Sequence, residues 1–79
     1  MTENRAALRH KVLKRGSIAF NGGGIDCTVR NLSSNGAGID VVSPIGLPAT
    51  FTLVIEADQF VRRCHPVWGS QKRIGLAFD

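Results

Sequence analysis

Arg5 and Arg9, four residues apart, are the first side chains in this sequence equipped to capture an anion. A guanidinium is a flat, permanently charged fork that pairs bidentately with phosphate or with the adjacent acceptors of a purine edge, and its face stacks on a base. A second cluster, Asn31-Leu32-Ser33-Ser34-Asn35-Gly36, joins an amide, a hydroxyl and a glycine in a row of turn formers. Asn31 and Ser33 can hydrogen-bond a ligand, and Gly36 can admit close backbone approach or a positive φ. Each has an ordinary alternative: turn capping for Asn31 and Ser33, turn geometry for Gly36, a solvated tail for the arginines.

Other candidate chemistry is thin. His10 and His65 have no Ser or Cys placed beside them by a motif, and the carboxylates are scattered singly, so neither nucleophilic nor paired-carboxylate catalysis is expected. Cys27 and Cys64 lack CxxC spacing and read as buried free thiols rather than a disulfide or, with the two histidines, a zinc set. A chain of 79 residues builds one small domain, in which a deep cleft would compete with the core for apolar side chains. Its apolar runs fall far short of the roughly 20 residues that span a bilayer, and Met-Thr-Glu-Asn-Arg has no apolar stretch of the kind a signal peptide carries, so no leader is expected. A cytoplasmic protein without catalytic residues, metal, cofactor or membrane insertion is the expectation.

Charge is unevenly placed. Residues 1–15 hold Arg5, Arg9, Lys11, Lys14 and Arg15 against Glu3 alone, and so carry the whole net charge of +4. The remainder balances Arg30, Arg62, Arg63, Lys72 and Arg73 against Asp26, Asp40, Glu56, Asp58 and Asp79. A neutral body with a basic arm calls for an anionic partner met at one end of the chain.

The elements that must position these groups read as strands, because turn signals recur every eight to twelve residues from His10 onward. Lys11–Phe20 places Val12, Ile18 and Phe20 on one face, with a bulge or bend at Gly16. Asn21-Gly22-Gly23-Gly24 is a hairpin loop rather than a phosphate loop, since no helix pattern or Gly-Lys-Ser/Thr follows. The next strands are expected at Ile25–Arg30, Ala37–Val42 and Thr50–Ile55, the last after interruptions at Pro44, Gly46 and Pro48. A fifth runs from Phe60 to Trp68 with an edge or bulge at Pro66, and a sixth from Arg73 to Phe78. The aromatic residues Phe20, Phe51, Phe60, Phe78 and Trp68 fall mostly where a core needs them. Only residues 2–13 read as helical, and like charges at Arg5 and Arg9 would cost such a helix about 0.2–0.5 kcal/mol. The fold class is therefore all-β: a six-stranded antiparallel barrel over residues 10–79, preceded by a flexible basic arm over residues 1–9 that stays loose until something negative binds it.

Arg5-Ala6-Ala7-Leu8-Arg9 before the first strand, followed by Asn31-Leu32-Ser33-Ser34-Asn35-Gly36 between the second and third, resembles the PilZ domain signature RxxxR followed by [D/N]xSxxG. Val67-Trp68 and Ile74-Gly75-Leu76-Ala77-Phe78 also look like that family's closing hairpin, and the resemblance covers residues 4–79. It implies a six-stranded barrel and, for many members, a bacterial receptor for the second messenger cyclic di-GMP. By that resemblance Arg5, Arg9, Asn31, Ser33 and Gly36 are the ligand-binding residues. Two departures stand out: Ala6 occupies a position where many binders have a second arginine, and the sequence stops at Asp79 where a helix frequently follows.

Three functions compete at this level. The first is a non-enzymatic cyclic di-GMP receptor that signals to a downstream protein. The second is a PilZ-like protein-interaction module without the ligand, motivated by Ala6. The third is a single-stranded nucleic-acid binder, disfavoured because Tyr is absent and the other aromatics are claimed by the core. DNA is not an expected partner. Arg62 or Arg63, on opposite faces of one strand, would extend an anion site only as a secondary contribution.

Overall fold

The computed structural model describes residues 10–42 and 46–79. The six strands are β1 (His10–Phe20), β2 (Gly23–Leu32), β3 (Gly36–Val41), β4 (Phe51–Ile55), β5 (Phe60–Gly69) and β6 (Arg73–Phe78). They close in the order β1-β2-β3-β6-β5-β4, with every neighbouring pair antiparallel. The proposed arm, with Arg5 and Arg9, lies outside the described residues. Among the described residues no helix is long and apolar enough to cross a membrane.

Alternation builds the core. Ile18, Val29, Ile39, Leu53, Ile55 and Cys64 are fully enclosed, and Val41, Phe51, Ile74 and Leu76 complete the filling. Phe60 and Phe78 pack, partly buried, against this core with their tilted rings 5.5 Å apart. The Arg62 guanidinium sits 4.9 Å above the Phe78 ring, while Arg63 donates to the Thr50 hydroxyl at 3.2 Å.

The turns explain where the strands depart from expectation. The first hairpin uses two residues, Asn21 and Gly22, with φ of 50° and 77°. That pair matches the primed turn whose twist suits flanking strands, so Gly23 and Gly24 join β2 instead of the loop. Gly16 carries no bulge. It pairs regularly with Cys27, and a Cβ there would lie 3.0 Å from the Val54 carbonyl oxygen, so its role is to let β1 and β4 approach. The irregularity of β1 falls instead between Lys11 and Lys14. Between β4 and β5 a short 3-10 turn, Glu56–Asp58, ends on Gln59 at φ 53°, and Lys14 reaches across to Asp58 at 2.5 Å.

Cys27 and Cys64 are both free and buried. Burial pushes each thiol up to about 11, and for Cys27 the Asp26 charge adds to it. Disulfide-reagent labelling at pH 8 should therefore be slow in the native protein and fast in denaturant, because the thiolate is the reactive form. The linkage sign follows: unfolded thiols release protons near pH 9 and folded ones near 11, so their contribution to stability is complete below pH 9 and lost between those values. Denaturation midpoints from pH 8 to 11 should fall less steeply for Cys27→Ala than for the parent chain.

Candidate functional site

The outward positions of β3 and β6 are mostly glycine, and Gly36, Gly38 and Gly75 are themselves buried, Gly38 beneath Asn31 and Gly75 beneath Trp68. Buried Ala37, Ile39 and Val41 alternate with Gly36, Gly38 and Asp40 on β3, and Ile74 and Leu76 alternate with Arg73, Gly75 and Ala77 on β6. Because Gly36 pairs with Ala77 and Gly38 with Gly75, the two strands together present a shelf of backbone. At Gly36 the backbones are so close that a Cβ would collide with the Leu76 carbonyl oxygen. Its φ is not positive, so Gly36 serves close approach and not a left-handed turn.

Two bulges turn side chains onto this shelf. In β2 the ladder with β3 shifts between Val29 and Asn31, leaving Arg30 as an extra residue. Strict alternation from Cys27 and Val29 would send Asn31 into the core; the bulge turns it outward and sends Leu32 inward instead. In β5 the ladder with β6 shifts between Pro66 and Trp68, so Trp68 faces out opposite Gly75 although it shares sequence parity with buried Cys64. A four-strand row results, Asn31, Gly38, Gly75, Trp68. A Cβ on Gly38 would lie 2.6 Å from the Asn31 amide nitrogen, and one on Gly75 would strike the Trp68 indole, so both side chains lean over the glycines. Trp68 stays 48% exposed, which corrects its assignment to the core. The indole thus packs against the Gly75 backbone while about half of the residue remains exposed.

Ser33 organises the turn. Its hydroxyl accepts from the backbone amides of Asn35 and Gly36, each at 3.2 Å, and donates to the Gly36 carbonyl at 3.3 Å. The Ser33 amide also donates to the Gly36 carbonyl at 2.9 Å, and the Phe78 amide to that of Asn35 at 2.8 Å, tying the turn to the end of β6. Asn31 and Leu32 belong to β2 and Gly36 to β3, so only Ser33, Ser34 and Asn35 form the loop.

Two residue rows further along, and on the same face, Thr28, Asp40 and Arg73 stand side by side. The Arg73 guanidinium grips Asp40 through Nε at 2.6 Å and Nη2 at 3.3 Å, and Arg30 adds Nη1 at 3.4 Å. The Arg73 hydrogen bond holds the Asp40 carboxyl below its ordinary range. On the opposite side of the shelf, in line with Gly36 and Ala77, His65 Nδ1 meets the Asp79 carboxylate at 2.6 Å. Among the described residues no three His, Cys, Asp or Glu side chains gather as a metal-holding group.

Against protein-family models, residues 3–79 match the PilZ domain. The chain belongs to the PilZ domain family. A search of curated proteins found no match. PilZ domains are generally non-enzymatic binding modules and, as a family, receptors for cyclic di-GMP. Of the five residues expected to bind ligand in this PilZ domain, the structure brings Asn31, Ser33 and Gly36 to one side of the shelf, and Arg5 and Arg9 lie outside the described residues. The arm's attachment is described: His10 opens β1 directly opposite Leu32, the neighbour of Asn31. The sequence does not mark Gly38, Gly75 or Trp68 as site residues: Gly75 and Trp68 read there only as parts of the closing hairpin, and Trp68 as core. The signal that finds them is the pair of glycines facing outward in adjacent strands, each opposite a residue just beyond a ladder shift. Arg62 and Arg63 belong to neither shelf row, being engaged with Phe78 and Thr50.

Proposed function

We propose that this PilZ domain is a bacterial, cytoplasmic, non-enzymatic receptor for cyclic di-GMP. The observation that carries the reading is the glycine shelf bounded by Asn31 and Trp68, with the chain leading to Arg9 entering beside Asn31. The small residues let Trp68 and Asn31 lie close against the sheet, where the half-exposed Trp68 ring offers stacking to a flat base and Asn31 offers an amide. Ser33 and Gly36 shape the turn that borders it. Arg5 and Arg9 supply what the shelf lacks, bidentate donors for the guanine O6/N7 edge and for phosphodiester oxygens. Reach permits it. Five residues from His10 extend about 17 Å, and strands spaced about 4.8 Å apart put β6 roughly 14 Å from β1.

Ala6, which removes one cation from the arm, favours a second reading in which the barrel acts only by docking a downstream protein. Calorimetry and the fluorescence of Trp68, the chain's single tryptophan, distinguish the two. Cyclic di-GMP should release heat and change the emission at about 0.15 M salt. Cyclic di-AMP should bind clearly more weakly, because adenine presents an N6 donor where the arginine fork needs the O6 acceptor. A mixed-sequence single strand should bind weakly. If instead it binds tightly, with affinity falling at a log–log slope of about −0.7 per neutralised phosphate and no discrimination between dinucleotides, the protein is a nucleic-acid binder. Silence with every nucleotide would leave the docking module.

A further inference from the structure

We propose that Arg73 and Arg30 form a second phosphate contact at the far end of the shelf, and that Asp40 is a built-in competitor for it which sets the affinity; this rests on the cyclic di-GMP reading above. The Asp40 carboxylate offers two anionic oxygens to three guanidinium donors. A phosphodiester presents the same pair of anionic oxygens to the same forks. Asp40 is therefore the stand-in for a phosphate at a position already built to hold one. Because one carboxylate is shared between two guanidiniums, the trio keeps a net positive charge.

Location makes the contact useful. Asp40 lies two residues from Gly38 on β3, and Arg73 two residues from Gly75 on β6, about 7 Å along each strand from the centre of the shelf. A ligand with two phosphodiesters can thus be held by the arm at one side and by Arg73 and Arg30 at the other. Space adjoins Asp40 and Arg73: a cavity of about 630 Å³ lined in part by Arg15, Asp26, Thr28, Asp40, Lys72 and Arg73, three cations against two carboxylates. The clamp is also open to exchange. Side-chain exposures are 46% for Arg73, 45% for Arg30 and 29% for Asp40, so solvent and solute reach all three, and the Arg30 bond at 3.4 Å is long.

The two partners of one ion pair should then act in opposite directions on binding. Asp40→Asn removes the competing charge with little change in shape and should tighten cyclic di-GMP by about 3- to 10-fold; Arg73→Ala should weaken it by about 5-fold or more. Both variants should melt close to the parent, since an exposed pair contributes little to stability. The test is calorimetric titration of cyclic di-GMP into the parent chain, Asp40→Asn, Arg73→Ala and the double variant, with Arg9→Ala as the reference for the arm. Opposite shifts in the two single variants support the proposal. Unchanged affinity in both, or weaker binding by Asp40→Asn, overturns it while leaving the receptor reading intact if the parent binds and Arg9→Ala does not. Binding gained by Asp40→Asn where the parent shows none would uphold Asp40 as the competitor and identify the native chain as a silenced receptor. No binding by either chain would end both ideas.

Discussion

Gly36→Ala is expected to lower the melting temperature by roughly 5–25 °C. The cause lies in the sheet and not in the turn's dihedrals. Gly36 pairs with Ala77 across β3 and β6, and a Cβ would collide with the Leu76 carbonyl oxygen, an atom of the backbone with no rotamer to yield. Relief requires β3 and β6 to move apart where the Phe78 amide donates to the Asn35 carbonyl and where Ser33 ties the turn. Overpacking costs about 1–3 kcal/mol even where side chains can adjust. For a domain of this size each kcal/mol moves the midpoint by about 4–8 °C. Asn35→Ala is the internal control, because its backbone carbonyl carries the described contact with β6 and a surface change is usually within about 0.5 kcal/mol. A Gly36→Ala protein that melts with the parent but binds no cyclic di-GMP would reassign the glycine from the fold to the ligand.

The same glycine shows which layer of the structure the sequence discloses. Strand β6 can be read residue for residue, since it follows the Gly-Ser-Gln turn signal and Ile74, Leu76 and Phe78 alternate with Arg73, Gly75 and Ala77. Gly36 is legible as a required glycine, but whether for φ or for close approach depends on a strand 40 residues later in the chain. Asn31 and Trp68 are harder. Alternation counted from Val29 or from Cys64 sends both to the core, and one extra residue in each strand, Arg30 and Val67, reverses that. A bulge leaves only a weak trace in sequence: Pro66 signals the one in β5, and β2 carries no comparable residue. Turn residues and alternation thus disclose the barrel, whereas the face presented to a ligand depends on two register shifts that local pattern does not encode.

Arg9→Ala is expected to weaken cyclic di-GMP binding by about 5- to 150-fold while leaving the melting temperature nearly unchanged. The size follows from the contact: a bidentate arginine pairing with a base edge is worth about 1–3 kcal/mol, and each 1.4 kcal/mol is tenfold in affinity. The separation of binding from stability follows from where Arg9 is attached. It precedes His10, an exposed residue at the start of β1, and the core cluster begins with the partly buried Val12 and the enclosed Ile18. Arg9→Lys distinguishes a fork from a point charge. Lysine keeps the attraction to phosphate but cannot bridge two acceptors, so it should recover part of the affinity for cyclic di-GMP and little of the preference over cyclic di-AMP. Salt adds a second check: a ligand with two charges and no condensed counterion atmosphere should lose affinity only gently as ionic strength rises. Titrating the parent, Arg9→Ala and Arg9→Lys with both dinucleotides decides the matter. Equal affinity in all three proteins would remove Arg9 from the site, and recovery of both affinity and preference by lysine would show that charge alone, and not the planar fork, reads the ligand.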